Sequence, residues 1–323
     1  MPLKGVLHSY VLDAKGGISA MGADTSRDIS GEGATLWAHL DYSEDDVRNW
    51  LYEESGLDQT VCDALLAEET RPRHFLHGEG IMLSMRGVNF NPGSDPEDMV
   101  SVRVWIEPGR IISMRQRRVR SVEDLAEALE SGRGPCDPGD FIAMLAERIT
   151  DRMGDIIGEI DETVDDLEDS VVGQENRVLR KDLSDIRRKA ISLRRYIAPQ
   201  RDMLNRLYGE RNALVTESVR YRLREAGERT ARYVEDLDSS RDRAAITHEE
   251  LNSMMAEQMN RIMYMLSIVA GIFLPLSFLT GLLGINVGGI PGTESKTAFA
   301  VVCLLIVLIA IAEYIYFKRK KML

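Results

Sequence analysis

The fold of this chain is decided by residues 263–317, MYMLSIVAGIFLPLSFLTGLLGINVGGIPGTESKTAFAVVCLLIVLIAIAEYIYF. They contain its two long apolar runs: 263–283 carries no charged side chain, and 298–317 carries one, Glu313. A helix needs about 20 apolar residues to cross the ~30 Å hydrocarbon core of a bilayer. Each run is therefore predicted to be a transmembrane helix, and the second leads into a basic tail, 318–323.

The connector between the runs, residues 284–297, cannot be helical throughout, because its glycines and proline break helices. These are Gly284, Gly288, Gly289, Pro291 and Gly292. Irregular backbone at a membrane face is tolerated where it is buried in protein or lines water. Two interpretations follow from the residues alone: a simple hairpin turn between two anchors, or part of an ion pathway at Gly284, Ile285 and Asn286.

Charge separates the membrane part from the rest. Residues 260–323 hold six basic and two acidic side chains, which leaves 34 basic and 50 acidic ones of the chain's 40 and 52 for residues 1–259. Binding of nucleic acid needs a basic patch on the protein, so this acidic region is not expected to bind nucleic acid. The basic tail after the second span predicts, by the positive-inside rule, that both termini face the cytoplasm. Three scattered cysteines fit a reducing compartment and indicate no disulfide framework.

Patterning predicts the domains. Residues 1–138 contain alternating segments typical of strands and of helices, which indicates a cytoplasmic domain with both elements. We assign this domain to the α+β class. Residues 139–217 indicate antiparallel cytoplasmic helices, with a kink or interruption at Pro199. A stalk helix, 218–262, is expected to continue into the first span, 263–283; a rod of that length would measure roughly 100 Å. The connector 284–297, the second span 298–317 and the tail 318–323 complete the order.

Within residues 1–138, strands are expected at 6–12, 35–40, 81–90, 100–107 and 110–117, and helices at about 44–54, 58–69 and 122–130.

Two spans cannot enclose a pathway, so transport would need several copies around an axis. The first span has a small, weakly polar stripe at helical spacing, formed by Asn260, Met263, Ser267, Ala270, Leu274, Ser277, Gly281 and Gly284. This stripe is a candidate pore lining, although small residues also permit close helix packing in lipid. The second span is apolar all round until its aromatic end, which predicts a lipid-facing helix.

The interior of the first span holds no carboxylate. A dehydrated divalent cation usually demands charged oxygen or imidazole ligands. The neutral amide oxygen of Asn286, with the carbonyls of a glycine-rich backbone, suits an ion that keeps its hydration water.

At these residues the chain resembles the CorA family of divalent-cation transporters, whose signature is a GxN tripeptide after the first of two C-terminal spans. Here the tripeptide is Gly284-Ile285-Asn286, and its middle residue differs from the usual Met. The continuation GGIPG (288–292) is similar to the ZntB branch, which is associated with zinc transport. Segments 71–87, 194–207 and 274–286 also have the family's character.

The resemblance implies a CorA-like funnel built by a homopentamer of the bacterial inner membrane. Each copy would have a cytoplasmic αβα sandwich, a long stalk helix and two transmembrane helices. Asn286 would form the periplasmic selectivity ring, and Asn260 and Met263 the cytoplasmic constriction. Zinc would be the transported ion, coupled to protons, with no resident cofactor. The missing Met places magnesium and cobalt selectivity in doubt.

Other candidate ligands have ordinary alternatives. His74 and His77 form an HxxH pair in loop or strand context. His248 on the stalk helix is either a relay for protons or zinc or an interhelical contact. The acidic run 155–169 is either a solvated helix face or a cation-collecting surface. Glu313 is either an interfacial anchor near Lys318 or a titratable group within the membrane.

Two classes of function remain open. The chain is either a metal-ion transporter, for zinc or alternatively for magnesium and cobalt, or a membrane-anchored scaffold or sensor without transport. The sequence has no nucleophile elbow, P-loop or dinucleotide fingerprint, so no enzymatic activity is expected.

Overall fold

A computed structural model describes residues 3–19, 35–68, 71–171, 176–285 and 295–320. The chain divides into two compact units, Met1–His248 and Glu249–Leu323. The first unit holds the α/β part, and the second holds both predicted spans. The 68-residue helix α6, Glu217–Gly284, begins in the first unit and ends in the second.

Six strands form one sheet in the first unit. In chain order they are β1 (Val6–Leu12), β2 (Thr35–Asp41), β3 (Arg73–His77), β4 (Gly80–Gly87), β5 (Val100–Glu107) and β6 (Arg110–Arg115). Their spatial order is β1-β2-β6-β5-β4-β3, and every neighbouring pair is antiparallel except β2 with β6. Five strands lie where the sequence predicts them. The edge strand β3 comes from the HxxH segment, whose context the sequence left undecided.

Helices cover both faces of the sheet because its strands are apolar on both sides. Alternate residues of β2, such as Leu36 and Leu40, join a buried cluster with Trp50 of α1 (Asp45–Glu53) and Val61 of α2 (Gln59–Leu66). On the opposite face, the ring of Trp37 lies 5.0 Å from that of Phe141. Phe141 belongs to α4, Pro138–Ser170, which α3 (Arg120–Glu130) precedes. This layered arrangement, with a long helix and two apolar C-terminal helices, confirms the predicted fold class.

Helix α5, Asn176–Leu207, runs through Pro199, so the interruption predicted there is not found. A proline inside a helix removes one hydrogen bond and costs about 3 kcal/mol. Burial on both sides of the proline offsets this cost, since Leu193, Ile197 and Leu204 are all at most 1% exposed. Tertiary packing therefore overrides the local propensity.

The part of α6 in the first unit packs through a seam of buried residues at helical spacing. Leu223, Thr230 and Leu237 are each at most 1% exposed. Thr230 is accommodated because its hydroxyl donates to the carbonyl of Ala226 at 2.7 Å. The hydroxyl of Thr230 is thus satisfied by the backbone of α6 itself.

Ion pairs join α4 to α6, and part of the acidic run 155–169 belongs to them. The guanidinium of Arg243 contacts the carboxylates of Asp161 at 3.1 Å and Glu168 at 2.5 Å, and it also pairs with Asp165. The carboxylates of Glu168 and Asp165 hold the pKa of Arg243 above its ordinary value through direct hydrogen bonds. The run is thus partly a clamp on α6, an arrangement that its local pattern does not reveal.

Replacing Arg243 by Gln is expected to turn this clamp into a cation-sensitive site, because three carboxylates lose their shared counter-charge. We expect the unfolding free energy to fall by about 1 kcal/mol, the scale of partly exposed ion pairs. Millimolar Mg²⁺ should then raise the melting temperature of Arg243→Gln more than that of the wild type.

The matched control is Arg241→Gln on the same helix, because Arg241 pairs only with its near neighbours Asp238 and Asp242 among the described residues. Thermal unfolding with and without Mg²⁺ measures both variants. An equal Mg²⁺ response in Arg243→Gln and the wild type would contradict the expectation.

A buried imidazole lies on β2, next to the edge strand β1. His39 is fully buried; its Nδ1 lies 2.8 Å from the hydroxyl of Ser113, and its ring stacks on His8 at 5.9 Å. Burial lowers the pKa of His39 to about 3, and the nearby charge of Arg115 acts in the same direction. The imidazole is therefore neutral in the folded protein over the physiological range.

This burial predicts acid sensitivity. The unfolded imidazole takes up a proton near pH 6.5 and the folded one only near pH 3. Stability should therefore fall as the pH drops below 6.5, by up to about 1.4 kcal/mol per pH unit from this group. His39→Gln should flatten that slope, measured by denaturant unfolding at several pH values. All three tryptophans lie in the first unit, so their fluorescence reports this part. Equal slopes in the variant and the wild type would exclude His39 as the cause.

Candidate ion pathway in the membrane spans

Two helices of the described chain are long and apolar enough to cross a membrane, α6 and α7, Ala298–Arg319. Within α6 the uncharged part follows Arg261 and includes the predicted span 263–283. Helix α7 has no buried residue. Its apolar surface is thus available to lipid or to other copies of the chain.

The two spans touch through a small residue on one and an aromatic residue on the other. A Cβ placed on Gly271 would lie 3.0 Å from the ring of Phe317. Ile268, one turn before Gly271, is 8% exposed, and Gly271 and Ile272 are half-buried. This side of α6 therefore faces α7.

The predicted stripe lies on exposed positions of α6, away from this contact. Its members Asn260, Met263, Ser267, Ala270, Leu274, Ser277 and Gly281 are all exposed. A Cβ on Gly281 or Gly284 would meet nothing within 4 Å. Large flanking residues such as Phe273 and Phe278 are exposed as well, at 64% and 68%. The single chain thus leaves the stripe uncovered, and exposure alone does not separate a pore lining from a packing surface.

One of the two serine hydroxyls on the stripe, that of Ser267, has a defined orientation. Ser267 donates to the carbonyl of Met263 at 2.9 Å. Because its proton is used within the helix, the lone pairs of Ser267 Oγ remain as acceptors. Such an acceptor suits the water shell of a cation, since hydration water offers its hydrogens outward.

The signature tripeptide lies at the boundary of the described residues. Gly284 is the last residue of α6, and Ile285 is 49% exposed. Asn286 lies outside the described residues. The predicted filter thus begins where the first span ends.

The histidine candidates are not brought together. His74 and His77 lie three residues apart on β3, where alternation sends their side chains to opposite faces. The Nε2 of His74 lies 3.0 Å from Glu210, whereas that of His77 lies 3.8 Å from Asp58. His248 is half-buried on α6. Within the described ranges, no group of three or more His, Cys, Asp or Glu side chains is placed to hold a metal ion.

Comparison with known proteins settles the family. The model of the CorA-like Mg²⁺ transporter protein family matches residues 32–319. The chain belongs to the CorA family. Members of this family are membrane transporters, which accords with the two candidate spans.

Two relatives and one solved structure refine the placement. The zinc transport protein ZntB of Yersinia enterocolitica is 36% identical over 323 residues, which cover 100% of this chain and 98% of the relative. The divalent cation transporter CmaX of Pseudomonas aeruginosa is 39% identical over 324 residues, 99% of this chain and 97% of the relative. The solved structure of full-length CmaX matches with a TM-score of 0.86 at 38% identity, covering 98% of both chains. These matches confirm the predicted CorA family and its ZntB branch.

Sequence reasoning missed two elements of this CorA-family chain. The clamp around Arg243 joins residues more than 70 positions apart, so no local pattern signals it. The contact of Gly271 with Phe317 likewise depends on how the two spans pack. The sequence did show Pro275, which lies inside α6. A proline in a transmembrane helix leaves a backbone carbonyl without its usual hydrogen bond, so Pro275 indicated an unpaired carbonyl in the first span.

Proposed function

We propose that this chain is a divalent-cation transporter of the bacterial inner membrane with zinc as its main cargo. The observation that carries the proposal is the end-to-end similarity to a protein named for zinc transport, including both spans. The GGIPG continuation after the tripeptide supports zinc over magnesium within the family.

The pathway is formed between copies. One chain supplies two spans, and two helices cannot surround an aqueous channel. A homopentamer with α6 of each copy next to the axis would place the stripe from Asn260 to Gly281 along the pore. The uncovered state of this stripe in the single chain supports the arrangement, because α7 packs against a different side of α6.

The cation travels with much of its water shell. No carboxylate or imidazole lies in α6 between residues 263 and 284. The ring of Asn286 side chains would select by contacting hydration water through amide oxygens. Such contacts are weak enough to let the ion leave.

Orientation follows from charge. The basic residues 318–321 follow α7, whereas the connector balances Glu294 with Lys296. The first unit, which is acidic, and the C-terminal tail then face the cytoplasm, and the tripeptide faces the periplasm. The acidic first unit would raise the local cation concentration near its own surface.

Metal flux into liposomes carrying the purified full-length chain tests the proposal. We expect zinc uptake above that of empty vesicles, stimulated by a pH gradient. Magnesium flux driven by membrane potential, without a pH effect, would favour a CorA-type magnesium and cobalt channel instead. No flux of either ion would contradict transport and favour a membrane-anchored scaffold or sensor.

A further inference from the structure

An acidic side chain lies inside the second span without a partner. Glu313 is six residues before Arg319, the last residue of α7, which places it about 9 Å from that helix end. Its Oε2 is buried and has no hydrogen-bond donor among the described residues. A buried acceptor without a donor is costly, so the unpartnered oxygen needs an explanation.

The charges around Glu313 do not neutralise it. In α6, which packs against α7, the only titratable side chain between residues 262 and 284 is Tyr264. On α7 itself the nearby groups are Tyr314, Tyr316 and Lys318. The Lys318 ammonium lies over the ring of Tyr314, 5.9 Å from its centroid. No cation of the described chain lies within ion-pair distance of Glu313. An ionised carboxylate at this depth would be uncompensated, and such groups become neutral instead.

A backbone acceptor is available on the facing helix. Pro275 has no N–H, so the carbonyl of Gly271 lacks its donor within α6. Gly271 is the residue that meets Phe317 of α7. Phe317 follows Glu313 by four residues, so both lie on the same face of α7.

The direction of the helices brings acid and carbonyl to the same level. Consecutive spans run antiparallel, and Phe317 of α7 lies at the level of Gly271 of α6. Glu313 precedes Phe317 by one turn of α7. It therefore lies at the level of the turn that follows Gly271 in α6. Helical carbonyls point towards the C-terminal end, which is also the direction of Pro275. The freed carbonyl of Gly271 is therefore directed towards the turn beside Glu313.

From these contacts we propose that Glu313 is a proton-binding site within the membrane. Its carboxylic acid is neutral, and its O–H donates to the carbonyl of Gly271 that Pro275 leaves free. The bound proton thereby joins α7 to α6. Release of the proton leaves a carboxylate that faces a carbonyl oxygen, which weakens the contact between the spans.

This inference rests on the proposed function only where it concerns transport. If α6 lines the pathway, proton occupancy of Glu313 sets how firmly the lining helix is held by α7. The residue then supplies a physical link between a proton and the pore.

Infrared spectroscopy of the full-length chain in lipid nanodiscs at neutral pH tests the site. A neutral carboxylic acid has a C=O stretching band that ionised carboxylates lack. We expect this band in the wild type, its loss in Glu313→Gln, and its retention in Glu249→Gln, which removes an exposed glutamate of α6. Absence of the band from the wild type, or its persistence in Glu313→Gln, would overturn the proposal.

A second variant tests the hydrogen bond. Pro275→Ala restores the backbone N–H that Gly271 lacks, so the acid loses its acceptor and its band should shift to higher frequency. An unshifted band would exclude the carbonyl of Gly271 as the partner. Neither infrared measurement depends on transport. If the protein shows both the band and its shift but no zinc flux, the proposed function is contradicted and the proton-binding site at Glu313 is still supported.

Discussion

Replacing Asn286 by Ala is expected to abolish selective zinc transport while leaving the oligomer intact. Each copy would lose one amide oxygen that contacts hydration water, and a hydrogen bond of this kind contributes about 0.5–1.5 kcal/mol. Summed over a ring of copies, the loss corresponds to at least a tenfold fall in the preference for zinc over magnesium, since ~1.4 kcal/mol is tenfold. Flux of both ions into liposomes measures the ratio.

Two comparisons give this result its meaning. Asn286→Gln retains the amide on a longer side chain and should recover part of the selectivity. Asn212→Ala removes an amide in the first unit, where it donates to the carbonyl of Glu79 at 3.1 Å, and should leave the zinc preference as in the wild type. An unchanged zinc-to-magnesium ratio in Asn286→Ala would exclude the residue from the filter.

Replacing Gly281 by Leu is expected to reduce zinc flux about tenfold or more. A Cβ at Gly281 meets nothing within 4 Å in the single chain, so the substitution causes no clash within one protomer. Repeated around an axis, five leucines would narrow the pathway and make it apolar, and apolar constrictions stop ions by dewetting. The measurement is zinc flux together with the oligomer mass by light scattering.

The matched control is Ala300→Leu, an exposed small residue near the N-terminal end of α7. It adds similar bulk on the helix predicted to face lipid and should leave flux unchanged. Gly281→Ser keeps the residue small and polar and should also transport. Normal flux in Gly281→Leu would place this face of α6 in lipid and remove the stripe from the pathway.

Periodicity was sufficient for most of the fold. The stalk helix was predictable, and residues at helical spacing along it, such as Leu223 and Leu237, are buried. Most strands were predictable from alternation of apolar residues. The helix is not interrupted at Pro199 because the local cost of the proline is opposed by burial of α5 residues against segments far away in the chain, which no window of sequence contains.

The candidate site was predictable to a different degree. The stripe from Asn260 to Gly281 was proposed from helical spacing, and Gly284 and Ile285 from their place between the spans and the family resemblance; their role in a pathway stays a prediction. Whether Asn286 forms a filter stays a prediction, because the residue lies outside the described residues. The HxxH pair was a poor guide, since β3 directs His74 towards Glu210 and His77 towards Asp58.

The sequence by itself determined that the chain has two apolar runs of spanning length, a connector rich in glycine and proline between them and a long helix leading into the first. These features depend on composition and local spacing, because the length of an apolar run and the presence of glycine and proline act within a few residues. Only the tertiary structure decided that Arg243 is held by three carboxylates of α4 and that Gly271 meets Phe317. The same holds for the partnerless state of Glu313. Those outcomes depend on which helix faces are brought together, and that is set by the packing of segments far apart in the chain.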